Sequence, residues 1–260
     1  VELLAHRLIT LTGWWRFKVK DALPDSIFVS ALLPALERLG IKQKIQVNGI
    51  RYWLTLPSQW ETYLSSLKHN YRRKINLARR RCMEQDEAEL STVIDAAQVE
   101  SSMNDLAELH GRRWQAVGEQ GAFVSERFHR FHIEWAQDLF RRGLLRLSQF
   151  SVAGTPVAAI YQIHTDGTTY YYQSGVDVEK WGALSPGRLM LGHGIEQAIE
   201  SGDRVYDFMR GADVSYKKDY GCETSEVFRM DIYARGLGGL VAQGIERLKS
   251  VVAKYVGRRA

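Results

Sequence analysis

The chain has 260 residues, 45% hydrophobic and 25% charged, enough to bury a sizeable core in one large domain or two small ones and too apolar for a disordered segment. Its two cysteines, Cys82 and Cys222, lie far apart without metal-site spacing, and no apolar stretch reaches the ~20 residues of a membrane span, so neither a disulfide framework, a zinc site nor a transmembrane anchor is expected. The net charge of +5 is a modest excess whose distribution matters more than its size. No charged-then-apolar leader opens the chain and a cytoplasmic location is expected, although the first residue is Val1 and further sequence can precede it.

From Trp15 to Lys20 apolar and polar residues alternate with the period of a half-buried strand. Ser26 is placed to cap a helix whose apolar face is Phe28, Leu32, Leu36 and Leu39, with Gly40 at its left-handed stop. Asn48-Gly49, a dipeptide suited to positive φ, stands between alternating runs and predicts a β-hairpin. Ser58-x-x-Glu61 has the form of a capping box at the head of one long helix over 59–83. Trp60, Tyr63, Leu67, Tyr71, Ile75 and Ala78 form its apolar stripe, while Lys68, Arg72, Arg73, Arg79 and Arg80 crowd the other surfaces. A short strand is expected over Ala88 to Ile94, and a subdomain boundary near residue 95 divides 1–94 from 95–260.

A helix from about Gln98 turns Met103, Leu106, His110 and Trp114 inward, and Phe128, Phe131, Trp135 and Leu139 line another that Gly143 ends. His129 and His132 in that helix could ligate a metal, but no third ligand stands nearby and helix packing is the plainer reading. From Leu144 the period becomes that of strands, and turns at Ala153-Gly154 and Asp166-Gly167 divide it into an antiparallel meander. Its third strand, Thr169 to Gly175, leads through a loop to Ser185-Pro186-Gly187 and a helix stopped by Gly202. Strands at Val205 to Met209 and Val227 to Tyr233 follow, then a basic helix from about Leu240.

Strand, loop and helix start in that order suit a phosphate, because a helix N-terminus offers unpaired amides and the positive end of its dipole. At Ser185-Pro186-Gly187 serine can cap, proline loses no needed donor, glycine allows close approach and Arg188 adds charge; a well-capped helix with no ligand explains the same tripeptide.

The runs Gly143-Leu144-Leu145-Arg146-Leu147, Gly154-x-Pro156-Val157-Ala158-Ala159, Tyr170-Tyr171-Tyr172, Leu184-Ser185-Pro186-Gly187 and Asp207-Phe208-Met209-Arg210-Gly211, followed by Tyr216-Lys217, resemble GNAT-type acetyltransferases. The likeness is to the CelD-like branch associated with cellulose and exopolysaccharide biosynthesis, whose relatives include the Fem aminoacyltransferases. The resemblance covers residues 95 to 235 best and implies an α/β (α+β) GNAT fold. That fold is a mixed, twisted, largely antiparallel sheet flanked by helices, here preceded by a partial second GNAT-like subdomain. It further implies that Thr169 to Gly175 and Val205 to Met209 splay apart around the pantetheine arm of a coenzyme A thioester.

On this resemblance Ser174, Gly175, Val176, Ser185, Gly187 and Arg188 are the expected cofactor-binding residues, with no metal. Transfer from a thioester needs a base for the nucleophile and an acid for the leaving thiolate. Asp207 is the candidate base, or else a buried carboxylate ordering the Arg210-Gly211 loop; Tyr216 is the candidate acid, or else a wall aromatic. Arg72, Arg79, Trp114, Arg210 and Lys217 are the expected contacts to an anionic or carrier-linked acceptor, a polysaccharide or cell-envelope precursor through the resemblance. Two alternatives stay open: a Fem-like transferase using aminoacyl-tRNA, and a non-catalytic GNAT fold serving assembly or nucleic-acid binding through the basic helix.

Overall fold

The computed structural model describes residues 1–211 and 216–256, with side chains through residue 249. In chain order its elements begin α1 (Glu2–Thr10), β1 (Arg16–Ala22), α2 (Leu33–Arg38), β2 (Gln43–Thr55), α3 (Trp60–Ser66), α4 (His69–Met83) and β3 (Ala88–Thr92). There follow α5 (Ala96–Gln115), α6 (Glu126–Arg141), β4 (Leu145–Val152), β5 (Thr155–Thr165), β6 (Thr168–Val176) and α7 (Val178–Trp181). The last are α8 (Pro186–Glu200), β7 (Val205–Gly211), β8 (Glu223–Tyr233) and α9 (Leu237–Val256).

Two compact units divide the chain, one holding Val1–Arg51, the segment that starts at Arg210 and the segment from Thr224 onward, the other Tyr52–Met209 with the segment ending at Glu223. The division expected at residue 95 falls inside the second unit, between β3 and α5. In the first unit the strands lie in the order β1-β8-β2, and α1 and α2 cover Val19, Met230 and Ile232 on one face. In the second the order is β7-β6-β5-β4-β3, antiparallel except for the parallel β6–β7 pair.

Four local expectations fail. No hairpin forms at Asn48-Gly49; β2 runs straight through it. There Asn48 Nδ2 donates to Asp21 Oδ1 at 2.6 Å, and Gly49, at φ +150°, leaves room for the Arg210 side chain, which a Cβ would meet at 2.9 Å. The glycine marks a close approach rather than a turn. Ser26 does not cap: its hydroxyl donates back to Leu23 O, and the helix opens as a π-helical turn over Phe28–Leu32. No capping box forms at Ser58, and the long helix is broken by extended backbone at Leu67 and Lys68. On a straight helix Tyr63 and Tyr71 would stand about 12 Å apart along the axis. The break brings both to Tyr220, Tyr63 through its hydroxyl to the carbonyl at 3.0 Å and Tyr71 ring to ring at 4.9 Å.

The meander forms as expected, with both residues of each turn at positive φ: Ala153 and Gly154, Asp166 and Gly167. Helices α5 and α6 bury Val99, Met103, Leu106, Leu109 and Leu139 against Leu147, Ala159 and Tyr161 on one sheet face. His132 sits in that layer among Phe128, Phe131, Trp135 and Tyr172. Burial, then the neighbouring His129, pushes its pKa down to about 4, so it packs as a neutral ring. Helix α8 takes the opposite face, where Gly194 abuts the Gln162 side chain and Gln162 Nε2 donates to the buried Tyr206 hydroxyl at 2.6 Å. At one end of the sheet Asp203 Oδ2 accepts from Thr169 Oγ1 at 2.6 Å and from Arg146 Nη1 at 3.0 Å, while His164 Nδ1 lies 3.0 Å from its Oδ1.

Candidate active site

Strands β6 and β7 pair only over Thr168–Tyr170 and Val205–Asp207, although β6 continues to Val176. Two features separate them. The register of β5 against β6 shifts at Tyr172, which has no partner of its own and bulges the strand. On β7, Asp207 Oδ1 accepts from the Met209 amide at 2.7 Å and Met209 turns to φ +57°, ending regular extension. The bulge also resets the alternation of β6, so that Tyr171 and Ser174, three residues apart, face the same side and join hydroxyl to hydroxyl at 2.5 Å.

On that side, the face α8 packs against, a cleft of about 280 Å³ opens where the pairing stops. Ser174 and Val176 of β6, Ser185, Gly187 and Arg188 at the head of α8, and Tyr216 line it. Contrary to the expected cap, the Ser185 side chain makes no capping hydrogen bond; the residue sits in the left-handed region at φ +59° and its carbonyl accepts from Arg188 N at 2.9 Å. Backbone in that region is strained for a non-glycine residue and is retained where the surroundings enforce it. Pro186 carries no amide hydrogen, and a Cβ on Gly187 would lie 3.3 Å from Val176 Cγ2, so the helix start approaches β6 closely.

Positive charge gathers at this end. Arg188 stacks over Tyr71 of α4 at 5.8 Å, and its Nε is buried without a hydrogen-bond partner among the described residues. Lys74 of α4 and Arg113 of α5 also line the cleft. An unsatisfied guanidinium nitrogen beside a helix N-terminus suits an anion such as a pyrophosphate.

The other end is made of hydroxyls. Arg113 Nη1 donates to Ser174 Oγ at 3.3 Å, and Tyr216 stands against Tyr171. Tyr216 has 44% of its surface exposed, but burial of its hydroxyl and the adjacent Tyr171 raise its pKa above the usual phenol value, which keeps it protonated. Behind the strand His110 joins two segments: its Nε2 accepts from the Ala122 amide at 3.3 Å, so Nδ1 carries the hydrogen and donates to Ser174 O at 3.0 Å. Burial, the largest influence on it, lowers its pKa and favours this neutral form.

The expected site residues thus divide. Ser174, Val176, Ser185, Gly187, Arg188 and Tyr216 share the cleft. Gly175 faces α5 instead, where a Cβ would strike Leu109 Cβ at 2.5 Å. Asp207 is buried on the Met209 amide and outside the cleft lining; the carboxylate that lines it is Asp219. Lys217 turns inward, donating from Nζ to Phe208 O at 2.8 Å. Arg79 pairs with Glu196 at 2.9 Å, Arg72 is outside the lining, Trp114 leans on His110 and Arg210 pairs with Asp21 in the first unit at 2.9 Å. Lys74, Arg113 and Asp219 carry no sequence signal for the site; Tyr71 reads from sequence as part of the apolar stripe of the basic helix, and Tyr171 as part of the Tyr170-Tyr171-Tyr172 run, without the bulge that aims it.

The splay of β6 and β7 toward the head of α8 is the wedge that the sequence resemblance to the GNAT class implies. The family profile described as "Acetyltransferase (GNAT) domain" matches residues 69–218, more than half of the chain, and the chain belongs to that family. No curated protein sequence matches it. Among solved structures, FemX is similar with a TM-score of 0.68 at 14% identity, over 94% of this chain and 77% of that one. A conserved protein of unknown function from Bacteroides thetaiotaomicron gives 0.56 at 14% identity, over 84% and 70%. The C-terminal domain of a putative lysylphosphatidylglycerol synthetase from Agrobacterium fabrum gives 0.52 at 9% identity, over 86% and 70%. At these identities the likeness is one of fold.

Proposed function

We propose that the protein moves an acetyl or longer acyl group from a coenzyme A thioester to an amine or hydroxyl. The pyrophosphate is read onto the amides after Ser185 and the thioester into the gap between β6 and β7. The observation that carries this reading is the early end of β6–β7 pairing beside a helix start whose Arg188 Nε has no hydrogen-bond partner among the described residues. The acceptor attacks the thioester carbonyl, the carbon–sulfur bond breaks and the thiolate leaves with a proton. Tyr216 is the proposed donor of that proton, backed by Tyr171 and Ser174. Asp219 replaces Asp207 as the proposed proton acceptor for the nucleophile, because it lines the cleft, and Asp207 is assigned to holding the turn at Met209. A polysaccharide or cell-envelope precursor, anionic or carrier-linked, is the acceptor class suggested by the sequence resemblance to the CelD-like branch, with Lys74 as its nearest α4 cation.

A second reading, an aminoacyl-tRNA donor, is favoured by the exposed Arg73, Arg79, Arg80 and Arg81 on α4. Rates separate the roles. With acetyl-CoA and the best acceptor from a panel of amino sugars and sugars, Tyr216→Phe is expected to lower kcat by on the order of 10²-fold, the usual loss of one proton-transfer group. The loss should shrink with an activated thioester whose thiolate needs no proton. Asp219→Asn should lose less as pH rises if the acceptor is an amine, since the amine then deprotonates unaided. Wild-type kcat in both variants would return the two residues to the cleft wall.

A further inference from the structure

Helix α9 closes the first unit with its polar side inward. Glu246 turns to the sheet and ion-pairs with Arg16 at 2.5 Å and Arg229 at 3.5 Å, and both arginines hold the buried Asp231. Ala242, one turn earlier on the same side, is buried. The opposite side is apolar and faces out: Leu237 is 82% exposed, Leu240 54%, Val241 50%, Ile245 47% and Leu248 67%. Their spacing of three and four residues makes one continuous stripe, and the sequence extends the same pattern through Val251, Val252, Tyr255 and Val256. Single exposed apolar residues are ordinary, whereas a contiguous stripe on one helix face marks an interaction surface.

Charge indicates the partner. At about 100° per residue Arg247 and Lys249 fall on the two flanks of the stripe, where long cationic side chains can lie along an apolar surface with their heads in water. From Leu237 to the end the sequence carries five cations, Arg247, Lys249, Lys254, Arg258 and Arg259, against the single carboxylate of Glu246, which holds Arg16 and Arg229 and lies 3.6 Å from the largely exposed Lys249. Trp15 packs its indole on the start of the helix, where a Cβ on Gly238 would meet it at 2.7 Å, and stays 58% exposed. Tryptophan of this kind is enriched at the water–lipid boundary. Self-pairing of the stripe would set cationic flanks against each other with no free carboxylate between them, which a second copy of the chain does not relieve. Among the described residues no helix is long and apolar enough to cross a membrane, so the stripe would lie in a surface rather than span it.

We propose that α9 seats the first unit on an anionic lipid surface, with Leu237, Leu240, Val241, Ile245 and Leu248 entering the acyl boundary and Arg247 and Lys249 meeting the headgroups. The whole chain should float with vesicles of equal parts phosphatidylcholine and phosphatidylglycerol, with a partition coefficient on the order of 10-fold or more above that for phosphatidylcholine alone. The preference should weaken as salt is raised. Leu240→Glu with Ile245→Glu alters two exposed side chains and should abolish flotation while leaving circular dichroism and acyl transfer to a soluble acceptor unchanged. Lys249→Glu alone should reduce the preference for anionic vesicles. The proposal is overturned if wild type fails to float with the anionic vesicles or if the double variant floats equally well. It is also overturned if light scattering shows a wild-type dimer that the double variant dissolves, which would give the stripe to a second copy.

Discussion

Gly187→Glu is expected to remove saturable binding of acetyl-CoA, raising Kd by on the order of 100-fold or more, because it puts a carboxylate where the pyrophosphate is read to sit. The substitution is informative because it should leave the fold intact. Gly187 is helical and not at positive φ, and the Cβ clash with Val176 Cγ2 at 3.3 Å asks for a shift of only a few tenths of an ångström. An acidic residue in the first turn of α8 is also favourable to the helix itself. The new carboxylate would offer a partner to Arg188 Nε, which is buried without one among the described residues, and so compete directly with a phosphate. Gly187→Ala, which adds bulk without charge, should weaken binding by no more than about 10-fold, the scale of one modest steric adjustment. Calorimetry on the three proteins decides it: equal affinity of wild type and Gly187→Glu would remove the anion site from the head of α8.

A large loss of stability is expected from Gly175→Ala. An added Cβ would lie 2.5 Å from Leu109 Cβ, 2.6 Å from His110 N and 2.8 Å from Leu106 O. Two of the three atoms are α5 backbone and cannot rotate away, so the helix must lift from β6. Lifting it loosens Leu106 and Leu109 in the core and strains the His110 bond to Ser174 O. Gly175→Ala should therefore destabilise by about 3 kcal/mol or more and lower Tm by on the order of 10 °C. Gly182→Ala is the control, since its nearest neighbour, Val178 Cβ, is 4.0 Å away and Tm should scarcely move. A Gly175→Ala protein melting with wild type would mean that α5 does not bear on β6 as described.

Much of the second unit was legible because its signals are local. Type I′ turns need positive φ at both central positions, and Ala153-Gly154 and Asp166-Gly167 stand where hydrophobic alternation stops on either side. Gly143 and Gly202 end helices for the same local reason, both at positive φ. Two of the failures, at Asn48-Gly49 and in the long helix, involve a distant partner. Asn48-Gly49 carries the strongest hairpin signal in the chain, yet Arg210, remote in sequence, uses the space above Gly49. The helix predicted over 59–83 breaks because Tyr63 and Tyr71 must both reach Tyr220.

The candidate site was legible in its backbone part and not in its chemistry. The head of α8 follows from Pro186 and Gly187, but a serine in the left-handed region cannot be told from an ordinary cap in sequence. Asp207 lay on the right strand, and alternation alone offered no means of seeing that its carboxylate is taken by Met209 N. Tyr171 reaches Ser174 only because Tyr172 bulges, a one-residue slip of register that no pattern of residue types announces.

The donor site can be located without knowing the acceptor, by amide hydrogen exchange with and without acetyl-CoA. Bound thioester should slow exchange in peptides covering Ser174–Val176 and Ser185–Leu189, where the amides at the head of α8 and the walls of the gap become covered, and leave β1 and α9 unchanged. No protection by any acyl-CoA, or protection of the head of α8 by aminoacyl-tRNA alone, would contradict a coenzyme A thioester as the donor.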